Sequence, residues 1–288
     1  MNRQRRLWLA LAALLLPRTG VGQPKPAASA THGEAPVELA VLVPPFLSPA
    51  ALLETVRPLR EHLQRQLGRP VAFYSAIDYR ALYSAVARGE PVLVMLPAHV
   101  AAVAFADGHY TALAALQQES TLLMMVRADS PLQRLAELKG RHVGMIDSLS
   151  LTAVSTRQWL QSEHLQAGRD LHIAYQPTFN SGVVALEQGE IDALVMTSFQ
   201  ISVLRGEAIA KLRHLASGPS MPAPMVLARS DLPPALLGAL RRALTDFSPD
   251  PKRPVGVFND AMIPISPARL QALQALVEPT RALLKWGP

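Results

Sequence analysis

Apolar and polar positions alternate in blocks along the chain, and the blocks switch between the period of a strand and that of a helix. "VELAVLV" (37–43) is a short apolar run of the kind that forms a buried strand. In "PAALLETVRPLREHLQRQLG" (49–68), Leu52, Val56, Leu59, Leu63 and Leu67 recur every three or four residues, as one face of a helix does. Pro58 falls inside that helix and predicts a kink or a split, while Gly68 supplies a stop. "PVAFYSA" (70–76), "DYRALYSAVARGE" (78–90), "PVLVMLP" (91–97) and "HVAAVAFADG" (99–108) follow as strand, helix, strand and helix. Such alternation predicts right-handed crossovers and parallel strands covered by helices on both faces.

The pattern then restarts. After "STLLMMVRADSPL" (120–132) come a short helix (133–140), the strand "RHVGMID" (141–147) and the helix "SLTAVSTRQWLQSEHL" (150–165). "LHIAYQ" (171–176), "SGVVALEQGE" (181–190) and "IDALVMTS" (191–198) complete a second strand–helix–strand set. "PMVLARSDLP" (224–233) has the form of "MMVRADSPL" (124–132): an apolar strand, an Arg, a Ser/Asp turn and a Pro. Two α/β sets with two similar crossing strands predict a two-lobe α/β protein, each lobe a mostly parallel sheet flanked by helices, joined by a two-strand hinge. The expected boundaries are 31–127 for the first part of lobe one and 128–224 for lobe two. Residues 225–288 return to lobe one, with helices at 235–247 and 266–286. A single large doubly wound sheet is the alternative.

Composition changes this picture at the N-terminus. "MNRQRRLWLALAALLLPRTGVGQPKPAASA" (1–30) has a cationic start, an apolar run over 7–16 and then small residues, which is the pattern of an export signal. Cleavage is expected after Gly22 or after Ala30. The apolar run is half of the roughly 20 residues a membrane span needs. The leader holds five of the 28 Lys and Arg and none of the 22 Asp and Glu, so the remainder is nearly neutral. The formal net charge of +6 therefore argues for neither nucleic-acid binding nor adhesion to a membrane surface. The chain has no cysteine, which excludes disulfides, thiolate metal sites, cysteine nucleophiles and a lipidated cysteine anchor. A periplasmic protein whose mature part does not insert into the membrane is expected.

No phosphate-binding GxxxxGK[ST], dinucleotide GxGxxG, HExxH or GxSxG motif occurs, and the eight histidines lack metal-ligand spacing. Neither a cofactor nor catalysis is expected. The Met-rich runs sit in apolar strand patterns and read as core packing rather than soft-metal sites. The stretch that invites a ligand is "GMIDSLSLTAVSTRQWLQ" (144–161), a strand that ends at Asp147 and opens a helix among hydroxyls. Unpaired amides at such a start bind anions without a Lys or Arg, and Ser148, Ser150 and Thr152 add donors. The plainer reading makes one hydroxyl the N-cap and the rest filler. Loops at the C-terminal ends of strands add Tyr79 and His99 from lobe one, and Asn180 and Ser181 from lobe two. Packing for Tyr79 and a surface imidazole for His99 are the competing readings.

In order and spacing, "ADSPLQRLAELKGRHVGMIDSLS" (128–150) and "ALEQGEID" (185–192) make the chain resemble the phosphate/phosphite/phosphonate-binding proteins of ABC importers, over roughly 37–245. The resemblance implies a type II periplasmic binding fold, a small oxyanion-bearing ligand between the lobes and a membrane permease as partner. A ligand sensor acting on a membrane histidine kinase is the rival output. The family's Ser-Thr-Ser-Gly oxyanion loop falls on Ser150, Leu151, Thr152 and Ala153, with Leu151 replacing the middle hydroxyl. The family's histidine ligand falls near Phe179 and Asn180 and is lost. Val92 stands where the family carries an acid, while Pro97 keeps the end of that motif.

Overall fold

The computed structural model describes residues 37–202, 204 and 206–284. The leader expected over 1–30 lies outside them. Lobe one begins with β1 (Leu39–Val43), α1 (Pro49–Leu67), β2 (Val71–Ser75), α2 (Tyr79–Ala87), β3 (Leu93–Leu96), α3 (Ala98–Ala106) and β4 (Tyr110–Leu116). The chain then builds a second sheet from β5 (Ser120–Arg127), β6 (His142–Ile146), α4 (Leu151–Ser162), β7 (His172–Gln176), α5 (Phe179–Gln188) and β8 (Ala193–Thr197). The short helices α6 (Ser198–Ser202) and α7 (Gly206–Ala210) and the strand β9 (Leu212–Met221) finish it. It returns through β10 (Met225–Arg229), α8 (Pro234–Thr245), β11 (Met262–Ile263) and α9 (Pro267–Leu284).

The sheets run β11-β4-β10-β3-β1-β2 and β7-β6-β8-β5-β9. In each, three neighbours are parallel: β2, β1 and β3 in the first, and β7, β6 and β8 in the second. The remaining pairs are antiparallel, so both sheets are mixed where mostly parallel ones were expected. Helical crossovers make parallel neighbours, whereas strands that pass directly between lobes run against theirs. The first passage also comes earlier than residue 128. β5 pairs with β8 and β9, so the chain leaves lobe one over 117–119. It comes back over 222–224, next to the expected 225. The two passages are bonded together, since the Leu116 amide donates to the Pro224 carbonyl at 3.0 Å. The Gln118 amide is held by the Asp260 carboxylate at 2.9 Å.

Local chemistry accounts for most element ends. The Ser48 hydroxyl caps α1, and Gly68 ends it in the left-handed region at φ 62°, where a side chain would be strained. Pro58 leaves α1 unbroken. The α3 sequence "AHVAAVAFA" is apolar on all sides, and its residues from Ala98 to Ala104 are buried between the sheet and α9. β9 was not foreseen, because "LRHLASGPSM" has no clean alternation. It passes close to α4: a Cβ on Gly218 would lie 2.6 Å from the Trp159 ring.

Candidate functional site

A cavity of about 90 Å3 lies between the lobes. Tyr79, at the first turn of α2, reaches it from lobe one; Ser150, Leu151 and Thr152, at the start of α4, reach it from lobe two. Four of the sequence-expected residues are thus brought together. Phe46, Met95, Phe199, Met221 and Val257 line it as well, with Leu96 and several prolines, so the cavity is chiefly apolar.

The hydroxyls at the start of α4 divide the work. Ser150 is the N-cap: its Oγ accepts the Ala153 amide at 3.1 Å and donates to the Asp147 carbonyl at 2.8 Å. Both capacities are spent inside the protein. Ala153 accordingly offers no free amide, and it does not line the cavity. The amides of Leu151 and Thr152 precede the first intrahelical bond, which runs from Val154 to the Ser150 carbonyl. Thr152 lines the cavity, and its hydroxyl has no protein partner among the described residues. The Tyr79 hydroxyl is likewise unpartnered there, and burial and the Asp147 charge raise its pKa, keeping it a donor. Arg157 braces the turn from behind, donating to the Ser148 carbonyl at 2.9 Å.

The other expected residues lie elsewhere. Ser148 gives its carbonyl to Arg157 and does not line the cavity. Asn180 is exposed at the start of α5, and the Ser181 hydroxyl completes a capping box with Thr178. Neither lines this cavity. Phe179 is buried in the core. His99 is neither a surface imidazole nor a wall of this cavity. It is 3% exposed, its Nε2 lies 3.2 Å from the Leu149 carbonyl, and burial holds its pKa down at about 4, opposed in part by that carbonyl.

Gln200 lines the cavity and was missed. Its Oε1 accepts the Thr197 backbone amide at 2.9 Å while the Gln200 backbone amide donates to Thr197 Oγ1 at 3.2 Å. This is a capping box of the Thr-x-x-Gln form, legible in "TSFQ" (197–200). Ser120 was missed because nothing local marks it. It reaches the cavity as the first residue after the hinge, with its hydroxyl 3.2 Å from that of Ser198.

Residues 41–261 match the family model described as ABC transporter, phosphonate, periplasmic substrate-binding protein. The chain belongs to this family. It is a substrate-binding transport family, and its members are periplasmic. No helix among the described residues is long and apolar enough to cross a membrane. No curated protein sequence matches the chain. Solved structures agree in fold. A binding protein component of an ABC phosphonate transporter (PA3383) from Pseudomonas aeruginosa superposes with a TM-score of 0.72 at 13% identity, covering 87% of this chain and 88% of that one. PhnD1 from Prochlorococcus marinus, solved with methylphosphonate, gives 0.70 at 14% identity, covering 84% and 97%. XAC2383 from Xanthomonas citri, bound to chloride, gives 0.63 at 20% identity, covering 85% and 99%. The two-lobe frame is therefore that of type II periplasmic binding proteins.

Proposed function

We propose that this chain is the solute receptor of an importer and that its ligand is a small phosphonate-class anion carrying an alkyl group. One observation carries this reading. The Leu151 and Thr152 amides, which precede the first intrahelical bond, belong to residues of one cavity whose Thr152 and Tyr79 hydroxyls have no partner among the described residues, and most of the rest of its wall is apolar. The amides and hydroxyls would take the oxygens, helped by the positive end of the α4 dipole. Phe46, Met95 and Val257 would take the substituent. PhnD1, solved with methylphosphonate, has the same fold.

Closure would follow from differential affinity. Tyr79 belongs to lobe one and Thr152 to lobe two, so the ligand gains its full set of contacts only when both lobes surround it. The closed form would then be the one a membrane permease engages. Calorimetric titration with methylphosphonate, phosphate and methanesulfonate tests the ligand class. Saturable binding of methylphosphonate above phosphate is expected, and no heat with any of the three would overturn the reading.

The wall itself favours a second reading within the same chemistry. None of its residues is a Lys or Arg, so a monoanionic sulfonate is desolvated at less expense than a dianionic phosphonate. Methanesulfonate binding above methylphosphonate in the same titration would select it.

A further inference from the structure

We infer that Tyr83 and His99 form a latch that holds the two lobes closed, with the Leu149 carbonyl as its catch. Tyr83 lies on α2 and His99 at the second position of α3, both in lobe one. Leu149 lies in lobe two, in the turn between β6 and α4. The Tyr83 hydroxyl donates to the Leu149 oxygen at 2.9 Å, and His99 Nε2 donates to the same oxygen at 3.2 Å. A carbonyl oxygen has two lone pairs, enough for both. The two rings meet edge to face, with centroids 6.0 Å apart.

The catch is built to transmit force. The Leu149 amide is tied to Asp147 Oδ1 at 2.8 Å, and the neighbouring Ser148 carbonyl is held by Arg157 at 2.9 Å. A pull on the Leu149 oxygen therefore moves lobe two as a body instead of fraying the turn. Leu149 also stands two residues ahead of the first unpaired amide of α4, so the latch holds in place the turn that presents the proposed anion donors. The effect on affinity rests on the proposed binding function; the effect on closure does not.

The second nitrogen of His99 makes the latch reversible. With Nε2 donating, Nδ1 is a bare acceptor, and it is buried without a partner among the described residues. A buried acceptor left unpaired is unfavourable, and a histidine with only a packing role would not need to carry that burden. Parting the lobes lets water reach the ring, the phenol and the carbonyl, which offsets the loss of their mutual bonds. The balance between closed and open forms is then close enough for a ligand to move it.

The chain has no cysteine, so a pair of introduced cysteines labels it cleanly. Gln161 on α4 and Gln274 on α9 are exposed and belong to opposite lobes. Spin labels on Gln161→Cys and Gln274→Cys report the lobe separation by electron–electron double resonance. Without added phosphonate, a short-distance population is expected. Tyr83→Phe and His99→Ala should each deplete it about threefold to tenfold, the range for one lost neutral hydrogen bond. His99→Gln, whose amide nitrogen substitutes for Nε2, should restore it. Apparent affinity for methylphosphonate should fall by the same factor as the closed fraction. Should His99→Ala fail to fold by circular dichroism, Tyr83→Phe, which removes one oxygen, carries the comparison. Unchanged distances in Tyr83→Phe, or the absence of a short population before substitution, would overturn the latch. Variants that open while the parent ignores methylphosphonate would support the latch and sink the ligand proposal.

Discussion

The Ser150 side-chain oxygen lies 3.1 Å from the Ala153 amide and takes one of the four donors that the start of α4 would otherwise leave unpaired. Thr152, two residues on, lines the cavity with its hydroxyl unpartnered among the described residues. Cap and proposed ligand donor are thus separate residues within one short run of hydroxyls. Ser150→Ala should lower stability by about 1 kcal/mol, the usual loss for an N-cap. Thr152→Val, of equal shape, should leave stability nearly unchanged and weaken ligand binding. Urea titration and calorimetry on both variants separate the two effects. The assignment is wrong if Thr152→Val binds as the parent does.

In the proposed site Tyr79 would contribute a neutral donor to a charged acceptor. Hydrogen bonds to charged groups are worth about 1.5–3 kcal/mol, so Tyr79→Phe should weaken anion binding roughly tenfold or more. Removing the oxygen leaves the ring packed against Tyr83, with centroids 5.9 Å apart, so the melting temperature should hardly move. Binding within twofold of the parent would return Tyr79 to a packing role.

Gly218 gives a prediction that concerns the fold alone. An added Cβ would meet the Trp159 ring at 2.6 Å and the Leu122 Cβ at 3.0 Å. A rigid ring and a neighbouring strand cannot both give way cheaply. Gly218→Ala should cost about 1–3 kcal/mol, the range for overpacking, measured as a lower urea midpoint. A midpoint equal to the parent's would mean that β9 shifts freely over α4.

His99 sets an acid limit. Its folded pKa is about 4, against roughly 6.5 when unfolded, so between these values the unfolded chain binds the extra proton. The contribution is intact above pH 6.5, falls as the pH drops, and is exhausted near pH 4. The difference is on the order of 3 kcal/mol. Other groups titrate in that window too. The readout is therefore the melting temperature of the parent minus that of His99→Gln as a function of pH. That difference should shrink on acidification from pH 7 to 4, and a flat difference would contradict the burial of a neutral ring.

Much of this protein was readable in one dimension. The 3.6-residue spacing of Leu52, Val56, Leu59 and Leu63 placed α1 to within a residue or two, because a helix face must repeat to be buried. The hydroxyl run at 148–152 located the start of α4, since caps are a local matter. Asn180 and Ser181 stand at a helix start for the same reason. Such a start attracts Ser and Asn whether or not a ligand is near, and this one carries its own capping box.

The sequence by itself determined the alternation of elements, the two-lobe pattern and the hydroxyl-rich start of α4, since periodicity, turn residues and caps act over a few neighbours. Only the tertiary structure decided the hinge position, the direction of the crossing strands and the companions of Thr152. Ser120, Tyr79 and Gln200 come from three separate elements and meet Thr152 only after both lobes have formed. It also set His99 against the Leu149 carbonyl and outside the wall that Thr152 and Tyr79 share. A histidine two residues past a strand looks the same in the sequence whether it faces a solute or the carbonyl of a residue fifty positions away. Which one it meets is set by how the lobes pack, and that is a long-range property no local spacing encodes.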